Sequence, residues 1–439
     1  MNFNANPNSF VVRFGLDPEQ FEPYLDVPTI EEALGLFVTR VFRLYQKPVL
    51  CPCPNCGSAE RHNVKGRYRT SREICTDRFT TDVLSIEVIR YKCKSCGKTF
   101  TVPLKGVAPY SKVPLAVRDS ILKSCCGLES FSSIAKRHHV SNAYVIRLFD
   151  EKFRFVLPLR LPKVMCIDEV CMRNDLGQKY ACVLYDWSRR ELVDVIASRQ
   201  LPYLRDHFAK TNENDRKAVK VFVSDMYEGY ETIRREFFPK AVHVIDLFHV
   251  VKLLSTAVGK LRTNAMNSLQ QCAEKAFMKS HWRLFLCKSS RIPDKRYQSR
   301  KFDTDESYFD MVMRCCSASN ALWEGYSILQ ELLTYNDYPT FGEAAAFVDR
   351  IVARLVGSGS PLLATVARSY RHWRNEIANG MARSQTEGKR ISNAVAECLN
   401  NMIKSLKKIS HGLYNFERFR KRALLIFTYF RKFGTQVLR

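Results

Sequence analysis

The chain has 439 residues, 46% of them hydrophobic, which is enough for packed cores in about three domains of roughly 150 residues and excludes a disordered polypeptide. Its 69 lysines and arginines against 44 aspartates and glutamates leave a net charge of +25, more of one sign than solubility needs, so a polyanionic partner is implied and nucleic acid leads. Sixteen cysteines are too dilute for a disulfide scaffold, no apolar leader follows Met1, and no run approaches the roughly 18 apolar residues of a membrane span, so reduced thiols in a cytosolic, membrane-free protein are expected.

Residues 1–50 alternate polar and apolar positions, and 29–45 (TIEEALGLFVTRVFRLY) has helical spacing after a Thr29 cap, so the opening segment is read as helical. Residues 51–105 follow with Cys53-x-x-Cys56-Gly57 and, 36 residues later, Cys93-x-x-Cys96-Gly97. Two such knuckles suit one tetrahedral zinc ion, because each short loop aims two thiolates at it and the following glycine relaxes the turn. Residues 80–91 between them read as a strand, which makes the unit a zinc ribbon holding one structural zinc. No strand–helix–strand pattern surrounds either knuckle, as a thioredoxin-type pair would need. Cys51 is an alternative ligand, and Cys75 reads as an ordinary cysteine.

Within 112–155 come three helical patterns, PLAVRDSILKSC, SFSSIAKRHH and SNAYVIRLFDEKF. Ser130 and Ser141 sit at N-cap positions, Val145, Leu148 and Phe149 share one face, and Val140 plugs the intervening turn. This is a helix-turn-helix pattern with 141–153 as the recognition helix, offering Asn142, Tyr144 and Arg147 to a DNA groove and Lys136 and Arg137 to phosphates. A helical hairpin without a DNA role is the competing reading.

From 160 to 250 the pattern turns to strands. KVMCIDEV, KYACVLYDWS and ELVDVIAS are three consecutive apolar strands; a helical stretch at 200–210, the strand AVKVFVSDMY, the helix YETIRREFF and the strand AVHVIDLFHV follow. Three strands and then alternating helix and strand is the order of a ribonuclease H-like α/β fold. Asp168 ends the first strand and Asp225 the fourth, which are neighbours in that fold. Two carboxylates at one sheet edge, completed by a third from a late helix, would cage two magnesium ions about 3.5–4 Å apart for phosphodiester displacement. A solvated acid at a strand end is the bland alternative for each.

The segments IDEV, YACVLYDWSRRELVDVIASR, VSDMYEGYETIRREFFPKAVHVIDLFHVVKLL and ISNAVAECLNNMIKSLKKISHGLYNFERFRKRAL resemble the bacterial insertion-sequence transposases of the ISL-three family, over a stretch from the zinc ribbon to about residue 427. The resemblance implies a DDE transposase with Asp168, Asp225 and Glu397 as the acids that hold two Mg2+ or Mn2+ ions, and with Asp246 and His249 of IDLFH beside the active site. It also implies double-stranded DNA partners, the element's terminal repeats and the target, a homodimer or higher assembly on DNA, and a nucleoid-associated protein of the bacterial cytoplasm. The chain departs from the family around the glutamate, where a threonine-asparagine-glycine run and a following glycine are usual and Ser392, Asn393, Ala394 and Cys398 stand instead.

Residues 251–385 show helical spacing with breaks such as GSGSP at 357–361, and read as the all-α insertion such transposases carry, with Trp282, Trp323 and Trp373 as core anchors. Residues 386–439 read as the closing helices of the catalytic core. There Lys404, Lys407 and Lys408 form a basic stripe on the helix of Glu397, continued by Arg418, Arg420, Lys421 and Arg422, and contacts with DNA backbone are expected. Two other functions remain open: a domesticated, non-catalytic DNA-binding protein, and a zinc-dependent hydrolase built on His243, Asp246 and His249.

Overall fold

The computed structural model describes residues 11–429 apart from 13–14, 27–28, 35–36, 61, 76–79, 107–112, 155–159, 335–336, 385–386, 392–393 and 411–414. It divides into two compact units, the first made of Met1–Val156, Leu406–Leu413 and Glu417–Arg439 and the second of Leu157–Ser405 with Tyr414–Phe416.

The first unit holds a sheet of β1 (Phe21–Pro23), β2 (Thr29–Leu34), β3 (Phe37–Gln46), β4 (Asn63–Cys75), β5 (Thr80–Lys92) and β6 (Thr99–Thr101). Its strand order is β1-β3-β5-β4, with β2 on β3 and β6 on β5. The expected helix at 29–45 is therefore wrong: this stretch is the antiparallel pair β2 and β3, and β3 runs parallel to β5. The apolar positions there satisfy both periods. The β-branched and aromatic residues Val38, Thr39, Val41 and Phe42, with β5 as a partner, favour the pleated form, in which Phe42, Leu44 and Gln46 are buried at every second position.

Three helices follow, α1 (Leu115–Cys125), α2 (Phe131–Arg137) and α3 (Asn142–Lys152). Ser130 Oγ accepts from Ser133 N at 3.0 Å and Ser141 Oγ from Tyr144 N at 3.1 Å, so both serines cap as read. His139, at φ 49°, makes the tight turn between α2 and α3. The inward residues Val145, Leu148 and Phe149 join Phe42, Leu84, Ile86, Ile121 and Ile134 in one core.

The second unit is built on β7 (Val164–Cys171), β8 (Tyr180–Asp186), β9 (Glu191–Ile196), β10 (Val221–Ser224) and β11 (Val242–Ile245), in the order β11-β10-β7-β8-β9. The first three strands are antiparallel to one another, while β10 runs parallel to β7 and β11 parallel to β10. Helices α4 (Leu201–Ala209), α5 (Glu213–Ala218) and α6 (Glu228–Phe237) connect them. Met165, Ile167, Leu184 and Phe222 pack with Leu204 and Phe208 of α4 and with Tyr230 and Ile233 of α6 in one apolar layer.

Beyond β11 lie α7 (Leu247–Ser268), α8 (Ala273–Ser280), α9 (Tyr308–Ser317), α10 (Asn320–Thr334), α11 (Phe341–Gly357), α12 (Pro361–His372) and α13 (Arg374–Met381). They share one core that starts at Ile245 and ends at Ala382. Gly380 lets α13 lie directly on β11, since a Cβ there would stand 2.3 Å from the Ile245 carbonyl oxygen. This region is not all-α as expected: a hairpin of β12 (Arg296–Ser299) and β13 (Thr304–Ser307) interrupts it. Its strands, RYQS and TDES, are mostly polar and bury only Thr304, so no apolar alternation marked them. The tryptophans also divide. Trp373 is buried as expected, but Trp282 and Trp323 are 43% and 41% exposed and anchor no core.

The closing segment carries α14 (Ala394–Ile409) and α15 (Phe416–Leu424). It was expected to belong to the catalytic core, but Leu406–Leu413 and the stretch from Glu417 onward belong to the first unit. Among the described residues no helix is long and apolar enough to cross a membrane.

Candidate functional site

In the first unit the knuckles converge. Cys53 Sγ lies 3.7 Å from Cys96 Sγ and Cys56 Sγ 3.7 Å from Cys93 Sγ, and the four sulfur atoms all fall within 4.8 Å of one another. The two loops have the same construction: Cys53 N donates to Ser58 O and Cys93 N to Lys98 O, both at 2.9 Å, and Gly57 and Gly97 close the turns at φ 72° and 70°. A side chain at either glycine would be strained, which is why glycine follows each pair. The Cys96 backbone N–H, helped by that of Ser95 against desolvation, holds the Cys93 thiol down to about 6. Four sulfurs at these separations, one already biased toward thiolate, fit a tetrahedral zinc ion. Cys51 stays outside this cluster, and the side chain of Cys75 lies outside the described residues.

In the second unit the parallel register pairs Val221 with Val164 and Val223 with Cys166. Continued by two residues, it sets Asp225, just past the end of β10, alongside Asp168, which does not end its strand as expected: pairing with β8 carries β7 on to Cys171. Asp168 Oδ1 accepts from Glu169 N at 2.7 Å, and Oδ2 accepts from Asn400 Nδ2 on α14 at 2.6 Å. His249 Nε2 stands 4.0 Å from Asp168 Oδ1 and 3.9 Å from Asp246 Oδ2. Asp246 follows β11, accepts from Phe248 N as the N-cap of α7, and donates its own N–H to Ser224 O at 2.9 Å, which ties the ends of β10 and β11 together.

The carboxyls are held against their usual charge. Burial raises the Asp168 carboxyl, offset by the Glu169 N–H, His249, Asn400 and Lys404. Burial and the charges of Glu169 and Asp168 push Asp225 up to about 7, against Arg199. Asp225 Oδ1 is buried and accepts no hydrogen bond among the described residues. A buried acceptor with no donor beside like charges is the place a cation would fill, so the acids fit hard divalent metal. Glu397 lies in α14 one turn before Asn400, and its side chain falls outside the described residues.

Sequence reasoning missed three neighbours. Glu169 pairs with Arg199 Nη1 at 2.8 and 2.9 Å, and the guanidinium stacks over Tyr180 and Tyr227 at 4.9 and 5.2 Å. Glu169 could have been suspected as the second acid of IDEV and Asn400 from its i+3 spacing to Glu397. Arg199 had no signal. His243 does not share a site with His249: it is buried, 2.8 Å from Ser224 Oγ and 2.8 Å from Glu231 Oε2, and burial lowers it to about 4. The two histidines are committed to different partners, so a zinc site uniting them is not formed.

Of the expected DNA-contacting residues, Asn142 and Arg147 are exposed on α3 and Tyr144 is half-buried, with the Arg147 guanidinium 5.4 Å from the Tyr144 ring centre. Lys136 is exposed, but Arg137 is paired with Glu129 at 2.6 Å. Lys404 and Lys408 are exposed and Lys407 is half-buried. The basic run on α15 is not the free stripe expected. Arg418 chelates Asp150 at 2.7 to 3.1 Å, Arg420 pairs with Glu417, and Arg422 is 2% exposed. Its guanidinium donates to Cys125 O, Gly127 O and Glu129 O and lies 4.6 Å over the Phe131 ring.

No curated protein matches the chain. A family model described as Transposase, that of the ISL3 insertion sequences, matches residues 165–423, more than half the sequence and all of the sheet and helices that carry Asp168, Asp225, Asp246, His249 and Asn400. The protein therefore belongs to the ISL3 family of transposases.

Proposed function

We propose that this transposase cuts and rejoins DNA at a two-metal site formed by Asp168, Asp225 and Glu397, on a ribonuclease H-like sheet. The observation that carries the reading is the parallel pairing of β7 with β10, which sets two acids side by side where Asp225 Oδ1 has no donor among the described residues. The sheet order β11-β10-β7-β8-β9 also supports it. Bound there, two Mg2+ or Mn2+ ions would activate a nucleophile and steady the leaving oxygen.

The protein's own part is positioning. Asp168 presents its oxygens from within β7 and Asp225 from just past the end of β10, Asn400 orients Asp168, and His249 bridges the region between Asp168 and Asp246. Water first attacks the phosphorus at the element's end, the P–O3′ bond breaks, and a 3′-hydroxyl is freed. That hydroxyl then attacks a target phosphodiester, forming a new P–O bond as the target's own 3′-oxygen leaves. The four-thiol cluster would hold one structural zinc, α1 to α3 would act as a helix-turn-helix on the terminal repeats, and a dimer or larger assembly would bring two ends together.

The test is cleavage of DNA spanning the genomic borders of the element by the purified chain in Mg2+. Asp168→Asn, Asp225→Asn and Glu397→Gln should each fold, bind the end and lose at least ~10²-fold in cleavage, without the losses adding. A wild-type chain that binds the end and leaves it uncut would favour the non-catalytic DNA-binding alternative. A Glu397→Gln chain that cuts at the wild-type rate would remove that residue from the site.

A further inference from the structure

Asn400 sits mid-helix on α14 and is 6% exposed. Its Nδ2 donates to Asp168 Oδ2 at 2.6 Å. A carboxylate offers only acceptors, so this contact decides the orientation of the amide, because the flipped side chain would press two oxygens together. Oδ1 then takes the other branch of the amide, not bonded to Asp168. There it is buried and accepts from no donor among the described residues.

An asparagine buried with one end satisfied and the other orphaned is costly unless something absent from the protein completes it. Asp225 Oδ1 is in the same condition, and Asp168 adjoins both residues, bonded to one and acting by its charge on the other. Carboxylate and amide-carbonyl oxygens together are the donor set of a hard divalent cation. Position 400 also lies three residues after position 397, so one turn of α14 carries both.

We propose that Asn400 belongs to the oxygen shell of the metal site: its N–H holds Asp168 in one orientation, and its Oδ1 serves the divalent cation that Asp168 binds. The inference rests on the two-metal reading of Asp168, Asp225 and Glu397. It adds a fourth side chain and makes α14 a metal-binding helix at two positions three residues apart.

The experiment is Mn2+ binding to the full chain, already loaded with zinc and without DNA, followed by calorimetry. Asn400→Leu removes both donor and acceptor and should weaken Mn2+ binding by about tenfold or more, the scale of a lost supporting contact at a metal. Asn400→Asp keeps an oxygen at that place and should retain most of the affinity, while failing to donate to Asp168 and so losing cleavage. If Asn400→Leu does not fold, Asn400→Ser is read the same way. Wild-type Mn2+ affinity in the Leu or Ser variant, with affinity lost in Asp168→Asn, overturns the role of Asn400 and leaves the two-metal reading standing. Equal Mn2+ binding by wild type and Asp168→Asn overturns both.

Discussion

The guanidinium of Arg422 donates through Nε to the backbone oxygen of Cys125, 297 residues earlier in the chain, at 3.1 Å. With Gly127 O and Glu129 O it satisfies three carbonyls where α1 ends and the chain turns into α2. Arg422→Met should leave these buried acceptors bare and cost about 3 kcal/mol or more. Lys421→Met, next along the helix, should stay within about 0.5 kcal/mol. Urea unfolding followed by circular dichroism measures both, and equal midpoints for the two variants would refute the clamp.

Zinc analysis should find about one ion per chain, lost when the knuckles are broken. Cys93→Ser removes the sulfur that its neighbouring N–H groups hold as thiolate, and should abolish zinc retention together with the fold around β5 and β6. Full zinc content in that variant would rule out the four-sulfur site.

Arg147 stands 67% exposed on α3, with Glu151 3.9 Å away as its nearest carboxylate. Arg147→Ala should weaken binding to the element's end by about 1–3 kcal/mol and barely affect random DNA. Losing Lys407 and Lys408 together should weaken both alike and lower the salt slope by about 2. Gel shifts over a salt series separate the cases, and equal losses on both DNAs for Arg147→Ala would make α3 scaffold.

Asp225 links stability to pH. Folding raises its pKa from 3.8 to about 7, so the protonated form is favoured in the folded chain. Its contribution is complete below about pH 4 and lost as pH rises through 7, a loss of at most about 4 kcal/mol. In buffer free of Mg2+ and Mn2+ at pH 8, Asp225→Asn should therefore melt above wild type, and at pH 4 the two should coincide. Adding Mg2+ at pH 8 should raise the wild-type midpoint and leave the variant unmoved. A variant less stable than wild type at pH 8 without Mg2+ or Mn2+ would contradict the strain assigned to this carboxyl.

The strands of the second sheet were legible because each holds a short apolar run, as in Val164–Ile167 and Val221–Val223, but the end of β7 was misplaced at Asp168, since pairing with β8 and not apolar character carries it on to Cys171. Ser130 and Ser141 were legible because capping is local chemistry. Residues 29–45 were misread because their apolar positions suit two periods and the deciding partner, β5, begins at Thr80. The α15 arginines were misread for a related reason: charge looks the same in sequence whether it faces solvent or a carbonyl nearly 300 residues away. Asn400 carried no composition signal, since its role depends on meeting Asp168 across 232 residues.

The reach of α15 back to the first unit also sets an order in time. Arg418 follows its partner Asp150 by 268 residues. At 5–20 residues per second a ribosome needs roughly 15 to 50 seconds to travel that distance. Throughout that interval the nascent α1 to α3 bundle lacks its clasp, and a chain broken off before residue 418 never acquires it. A product truncated there would keep the four-cysteine cluster and the strands β7 to β11 while leaving three helix-end carbonyls unsealed, so the α1 to α3 bundle is completed only once the α15 arginines have emerged.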